Sequence, residues 1–254
     1  MLDNFSDKSV LITGSSKGIG YATAKLFAQQ GARVAIHYNR DRLNAEKIFK
    51  NLNGNGHIIV QADIADSEAA QRLVDKTIKE FASIDILINN AGIYQEHPIS
   101  NVTYDEWQDI WQRTLSINLL GPANISFCAV KHMIKNGGGK IINISSRGAF
   151  RGEPNAPAYG ASKAGLNAMS QSMAKALAPF NIFVYVVAPG FVETDMTAYL
   201  LDGPEGEAIR QQSPLGRVAK PEEIAHTVAF LASEGSEYLT GGIVDVNGAS
   251  YLRP

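Results

Sequence analysis

Seven short, nearly unbroken apolar runs recur along the 254 residues, and they restrict the fold more than any other feature. They fall at residues 9–13, 33–37, 57–61, 85–89, 140–144, 182–187 and 243–246. An alternating pattern would mean one wet face, whereas continuous apolarity means strands covered on both faces. Helix-length segments lie between them, at 19–30, 67–82, 104–135 and 158–178 among others. Strands separated by helices need right-handed crossovers, so the pattern predicts an α/β chain with a seven-stranded parallel sheet, doubly wound and flanked by helices. No linker, repeat or low-complexity stretch divides it, which predicts one domain over residues 1–254. Residues 193–214 stand apart: Gly203, Pro204, Gly206 and Pro214 mix with the apolar Tyr199, Leu200 and Leu201, the composition of a lid.

Charge narrows the function classes. Lys and Arg number 23 against 25 Asp and Glu, a formal net charge of −2, so nothing favours nucleic acid or an anionic membrane as partner. No apolar run nears the ~20 residues that span a bilayer. Met1 to Phe5 lack the basic and apolar blocks of an export leader, and the expected location is cytoplasmic. Cys128 is alone, and the five histidines show no metal-ligand spacing, so no metal is expected.

Thr13-Gly-Ser-Ser-Lys-Gly-Ile-Gly20 follows the first run directly. Gly14, Gly18 and Gly20 allow a tight turn, close approach of backbone to a pyrophosphate, and close packing of the next helix. The free N–H groups of that helix would face the phosphates. The spacing G-x-x-x-G-x-G departs from the usual G-x-G-x-x-G fingerprint. The same residues also fit G-x-S-x-G, a hydrolase nucleophile elbow with Ser16, followed in order by Asp195 and His226. Only one short strand precedes Gly14, where an elbow normally follows several, so a dinucleotide turn is the stronger reading.

The second run ends His37-Tyr38-Asn39-Arg40, without the acid that holds a ribose 2′-hydroxyl in NAD sites. Arg40, with Lys17 from the glycine turn, suits a 2′-phosphate. This favours NADP(H), with NAD(H) as the alternative. Asp63, just past the third run and followed by Ile64, is placed for the adenine amino group.

Tyr159 and Lys163 stand at i and i+4, on one helix face. A tyrosine with a pKa of ~10 is a poor base at neutral pH. A neighbouring ammonium is expected to bring it toward the working range, so that it exchanges a proton with a carbonyl or alcohol oxygen. Ser146, at the end of the fifth run, is placed to polarise the same oxygen.

Thr13 to Gly20, Asn89-Asn-Ala-Gly92, Asn118, Ser145-Ser146, Tyr159-x-x-x-Lys163 and Pro189-Gly190, in this order, resemble the short-chain dehydrogenase/reductase family over nearly the whole chain. The resemblance implies a Rossmann-type fold and a catalytic tetrad of Asn118, Ser146, Tyr159 and Lys163. In that tetrad Asn118 would hold a helix kink and a water, and Lys163 would bind the nicotinamide ribose. The cofactor contacts it implies run over Gly14, Ser16 to Gly20, Tyr38 to Arg40, Asp63, Ile64, Asn90, Ala91, Gly92, Tyr159 and Lys163. Pro189, Gly190, Val192 and Thr194 would hold the nicotinamide carboxamide. A homotetramer, or a homodimer, built on the helices beginning near Tyr104 and Ala158 is implied too.

Within the family the chain looks most like reductases of 3-oxoacyl thioesters on acyl-carrier protein or coenzyme A. It departs from them at Gly137 and Phe180, where carrier-protein reductases commonly have basic residues, and at Tyr185 and Asn247-Gly-Ala249. A sugar, polyol or small ketone is the alternative substrate. A non-catalytic dinucleotide sensor is more distant, because Ser146, Tyr159 and Lys163 are all retained. Arg147 and Arg151 flank Phe150 beside the expected site, placed either for a substrate anion or for Glu153. The histidines are expected at the surface or in the core, with the substrate pocket as the alternative for His97, which lies in the loop after Asn89 to Gly92; Trp107 with Trp111 is expected to pack in the core or an interface.

Overall fold

The computed structural model describes residues 4–253. The expectation read from Met1 to Phe5 therefore rests mostly on residues outside the described ones. Seven parallel strands form one sheet in the order β3-β2-β1-β4-β5-β6-β7. They are β1 Ser9–Ile12, β2 Arg33–Tyr38, β3 Ile58–Gln61, β4 Ile86–Asn89, β5 Gly139–Ile144, β6 Ile182–Pro189 and β7 Ile243–Val246. The helices are α1 Gly18–Gln29, α2 Arg42–Lys50, α3 Ser67–Phe81, α4 Tyr104–Leu115, α5 Gly121–Lys135, α6 Gly148–Arg151, α7 Pro157–Leu177, α8 Asp195–Leu201, α9 Gly206–Arg210 and α10 Pro221–Ala232.

The continuous apolarity of the strands has a direct cause. Val10 and Ile12 of β1 join one core with Phe27 of α1 and Val228 of α10, while Leu11 between them joins the opposite core with Leu73 of α3 and Ile125 of α5. The same split recurs in β4, where Ile86 and Ile88 face one core and Leu87 the other. Each fully buried aliphatic side chain contributes about 1.5–3 kcal/mol, so neither face tolerates polar residues without partners.

Two buried asparagines on the central strands break the apolar pattern and bond to each other, while Asn89 Oδ1 is left without a partner. Asn89 of β4 pairs with Asn143 of β5 in the sheet register. Its Nδ2 donates to Asn143 Oδ1 (2.8 Å) and to Ser126 Oγ of α5 (3.0 Å). Asn143 Nδ2 in turn donates to Ser170 Oγ of α7 (2.8 Å). This buried chain ties two strands to two helices just below the strand ends.

The sequence pattern predicts one helix over 104–135; the structure interrupts it. A five-residue π-helical turn at Ser116–Leu120 separates α4 from α5. Pro122 supplies the reason, since it has no N–H to give the carbonyl of Asn118 four residues back and its ring crowds that carbonyl. Gly121 is required beside it, because a Cβ there would lie 2.8 Å from the backbone oxygen of Ile64. The segment of residues 193–214 holds α8 and α9. Its base is closed by backbone bonds from Glu193 N to Ala219 O and from Ala219 N to Phe191 O, both 2.9 Å. Tyr199 is exposed there, but Leu201 is buried, contrary to its exposed look in the sequence.

Asn143→Ala is expected to orphan Asn89 Nδ2 and Ser170 Oγ partly, costing about 1–3 kcal/mol for each group left unpaired. Urea unfolding should show the midpoint falling with the slope unchanged. A midpoint equal to that of the unsubstituted protein would refute the role of this chain.

Candidate active site

At the switch between β1 and β4, where neighbouring strands lead their helices to opposite faces, a cleft of about 290 Å³ opens along the carboxyl edge of the sheet. Its floor is the glycine turn. Gly14 has φ of +63°, and a Cβ on it would meet Ala91 Cα at 2.9 Å. A Cβ on Gly20 would sit 2.4 Å from Gly14 O and 2.5 Å from Asn90 Nδ2. The turn is clamped from β4: Asn90 Nδ2 donates to Thr13 O (2.9 Å) and Gly14 O (3.1 Å), and Ala91 N to Thr13 Oγ1 (3.0 Å).

A second clamp comes from a residue without a role in the sequence reading. His37, 2% exposed on β2, accepts the Gly14 N–H at Nδ1 (2.9 Å) and places Nε2 3.0 Å from Ala62 O. The two bonds require the neutral Nε2–H tautomer. Burial lowers the His37 pKa to about 4, against the weaker opposing pull of the Ala62 carbonyl and Asp63.

The residues expected to hold a cofactor divide in two. Gly14, Ser16, Lys17, Gly18, Ile19, Asn90, Ala91, Gly92, Pro189, Gly190, Val192 and Thr194 line the cleft with Ser146, Tyr159 and Lys163. Gly20 packs beneath the turn. Tyr38, Asn39, Arg40, Asp63 and Ile64 lie outside the lining, at and just past the ends of β2 and β3. Tyr38 belongs to the core, Ile64 is buried, and Arg40 and Asp63 are exposed. Lys17 faces Asp195 across the cleft at 3.9 Å, a solvent-exposed pair of little energetic weight. Ser16 and Asp195 both border the cleft but His226 does not, so no hydrolase triad is assembled. The start of α1 suits a diphosphate: Lys17 at its N-cap makes no side-chain cap, and no acidic residue sits in the first turn.

Lys163 comes from α7 and is 5% exposed; its Nζ donates to Ile144 O (2.8 Å) at the end of β5. Burial pushes its ammonium down to about 8. The Nζ stands 5.8 Å from the Tyr159 ring centre. For Tyr159 the outcome differs from expectation. Burial pushes its hydroxyl above the usual tyrosine range, outweighing the lowering by a Ser146 hydrogen bond, while Glu153 adds to the rise. Ser146 Oγ accepts the Gly148 N–H (3.0 Å), and its own proton is given to the hydrogen bond with Tyr159. Asn118, fully buried on the π turn, holds Ile93 from both sides: Oδ1 accepts Ile93 N–H (2.8 Å) and Nδ2 donates to Ile93 O (2.9 Å). A Cβ on Gly92 would touch Asn118 Oδ1 at 3.3 Å and Lys163 Nζ at 3.4 Å, so glycine keeps these two groups close.

Three more residues matter that the sequence reading missed or misplaced. Tyr94 stands edge-on to Tyr159, ring centres 5.2 Å apart, and borders the cleft. His97 does not line the pocket: it is fully buried, and its Nε2 accepts the Ala158 N–H (3.2 Å) while Nδ1 bonds Gln95 O (2.8 Å). It caps the helix that carries Tyr159, whose own N-cap Ala156 has no side chain for the task. Arg147 is buried, not a surface residue, whereas Arg151 does pair with Glu153 at 3.4 Å. No local pattern marks His97 as a cap, because the contact spans 61 residues.

The family model described as enoyl-(acyl carrier protein) reductase matches residues 14–249. A 3-oxoacyl-[acyl-carrier-protein] reductase of Staphylococcus aureus is 36% identical over 247 residues, 96% of this chain and 98% of its own. One from Thermotoga maritima is 37% identical, covering 95% and 96%. Among solved structures, a short chain dehydrogenase from Burkholderia cenocepacia in complex with NADP superposes with a TM-score of 0.88 at 31% identity, covering 98% and 99%. A short-chain dehydrogenase/reductase from Brucella melitensis, described as a glucose/ribitol dehydrogenase, gives 0.91 at 32% identity over 100% of both chains.

Protonating His37 at Nδ1 would oppose the Gly14 N–H. The folded pKa lies below the unfolded one, so the unfolded chain binds the extra proton first, and stability is full above pH ~6.5 and falls toward pH 4. The loss expected across that window is about 3 kcal/mol. Urea midpoints measured against pH should show it, and His37→Asn should flatten that part of the profile. An identical slope in both proteins would contradict the assignment.

Proposed function

The chain belongs to the short-chain dehydrogenase/reductase family, and we propose that it is an NADP(H)-dependent reductase of a 3-oxoacyl thioester. The observation that carries the chemistry is the meeting of Ser146, Tyr159 and Lys163 on one wall of the cleft whose floor is the glycine turn. The two carrier-protein reductases and the NADP complex support substrate class and cofactor. Lys17 and Arg40 are the residues to which we assign the 2′-phosphate, and the start of α1 the diphosphate.

Bound there, NADPH would supply a hydride to the carbonyl carbon. The chain does the rest. Ser146 donates a hydrogen bond to the carbonyl oxygen and holds it, keeping its own proton. Tyr159 delivers the proton that turns that oxygen into a hydroxyl. Burial favours a protonated Tyr159, which suits an acid in the reducing direction. The Lys163 ammonium, held by Ile144 O, stabilises the phenolate left behind, and Asn118 keeps the segment beside it in place. Residues 193–214 serve as the lid, with Met196 and Leu200 presenting apolar surface to the cleft. Exposed apolar residues on α5 and just before it, Leu120, Phe127 and Ile134, support a homotetramer built on the α4–α5 and α7 helices. A sugar or polyol substrate is the second reading, favoured by the Brucella protein's description.

Tyr159→Phe is expected to lower kcat by about a hundred- to ten-thousand-fold while NADPH affinity is retained. Loss of reduced-nicotinamide absorbance with 3-oxoacyl thioesters measures it, and full activity in the variant would refute the assignment. Sugars and polyols turned over faster than thioesters would favour the second reading. Phe127→Glu should reduce the particle mass seen by light scattering, and a monomeric unsubstituted protein would exclude the oligomer.

A further inference from the structure

Glu153 lines the cleft together with Ser146, Tyr159 and Lys163, yet no step described above uses it. Its side chain is only 15% exposed, so the carboxylate is largely withdrawn from water. It comes from the loop between α6 and α7, where its backbone oxygen accepts the Ala156 N–H (3.0 Å) at the start of α7. Two glycines border it. A Cβ on Gly148 would lie 2.5 Å from Glu153 Oε1, and one on Gly160 would stand 3.7 Å from Glu153 Cβ. Gly148 gives its N–H to Ser146 Oγ, and Gly160 directly follows Tyr159. The side chain is therefore lodged between the two backbone segments that carry the oxygen-handling residues.

Little cancels its charge. Arg151 reaches the carboxylate through Nε alone at 3.4 Å, whereas Arg217 grips Glu223 with two bonds of 2.7 Å each. Arg147 turns its guanidinium to the Phe191 ring and to Gln212. Around Tyr159 stand Lys163 on its own helix, Ser146 from the end of β5, and Tyr94 from the loop after β4. The Tyr94 hydroxyl donates to Glu96, and Asp195, the other acid on the cleft, faces Lys17. Among the described residues, none from α4 or the π turn lines the cleft. Lys163 and Glu153 are thus the opposed charges that act on the phenol from close by. Burial raises the Tyr159 hydroxyl most, the Ser146 hydrogen bond opposes it, and Glu153 adds to the rise.

We propose that Glu153 is a positioning residue for the Tyr159 proton: its carboxylate, seated against Gly148 beside Ser146, keeps the phenol protonated next to a lysine whose charge favours phenolate. The inference rests on the reductase reading above and accounts for the direction of that reaction. A reductase must present a protonated tyrosine each time a carbonyl arrives. The Lys163 ammonium helps once the proton has left, but before the step it works against the acid form. A carboxylate on the other side of the ring offsets that bias, and Arg151 moderates the carboxylate in turn.

Tyrosinate absorbance of the full-length protein, less that of the same protein carrying Tyr159→Phe, follows the Tyr159 proton without any substrate. Measured with and without NADP+, the midpoint should fall by about 0.5–1 in pH in Glu153→Gln. In Arg151→Ala it should rise, because the carboxylate loses its ion pair. Where alkali unfolds the unsubstituted protein first, tyrosinate in Glu153→Gln at a pH where the unsubstituted protein shows none is the same result. The rising limb of 3-hydroxybutanoyl-coenzyme A oxidation by NADP+ should move with the titration, since that direction needs the phenolate. Equal tyrosinate at every pH in the unsubstituted protein and Glu153→Gln would overturn the proposal. So would shifts of the same sign in both variants, which a structural disturbance would give. Opposed shifts without turnover of any thioester would leave the role of Glu153 standing and overturn the thioester reading.

Discussion

Covering a parallel sheet on both faces leaves its carboxyl edge as the place where polar chemistry collects. Both cores are apolar to within a residue of that edge, and the strands contribute almost no unpaired polar group below it. Asn89 and Asn143 are linked by one bond across β4 and β5 and reach into α5 and α7. That chain sets the height of α7 against β5, and with it the distance of Lys163 from Ile144 O and of Tyr159 from Ser146. A low-dielectric interior makes such a network costly to disturb and therefore rigid.

The site depends on neutral, buried imidazoles and amides used as clamps. His37 and Asn90 hold the glycine turn from opposite neighbours, β2 and β4. His97 caps α7 at the end that carries Tyr159, and Asn118 pins the segment after β4 against the π turn. His37, His97 and Asn118 each accept a backbone N–H that no secondary structure would otherwise satisfy, and all four bond a backbone oxygen as well. The fold thus places loops with side chains from distant strands, and the loops carry the groups proposed to react.

Burial then tunes those groups in opposite directions. It disfavours charge on both Lys163 and Tyr159, lowering one and raising the other, so two groups with nearly equal ordinary pKa values are driven apart. The reading of Tyr159 from its lysine neighbour alone predicted a fall. The rise follows from removal from water, which outweighs the hydrogen bond from Ser146. Arg147 shows the same effect, deepened by Arg151 and only partly offset by Glu153.

What the amino-acid order determined by itself was local and periodic: a sheet of seven strands with its central ones buried on both faces, the glycine turn after β1, and the shared helix face of Tyr159 and Lys163. These follow from hydrophobic period and from glycine's freedom at positive φ, which need no knowledge of distant residues. The break at Ser116–Leu120 was within reach too, since Pro122 announces it. Only the tertiary structure decided the roles of His37 and His97, the place of Glu153 between Gly148 and Gly160, and the direction of the Tyr159 shift. Those depend on burial and on contacts across dozens of residues, and burial is a property of the packed molecule and not of any stretch of its chain.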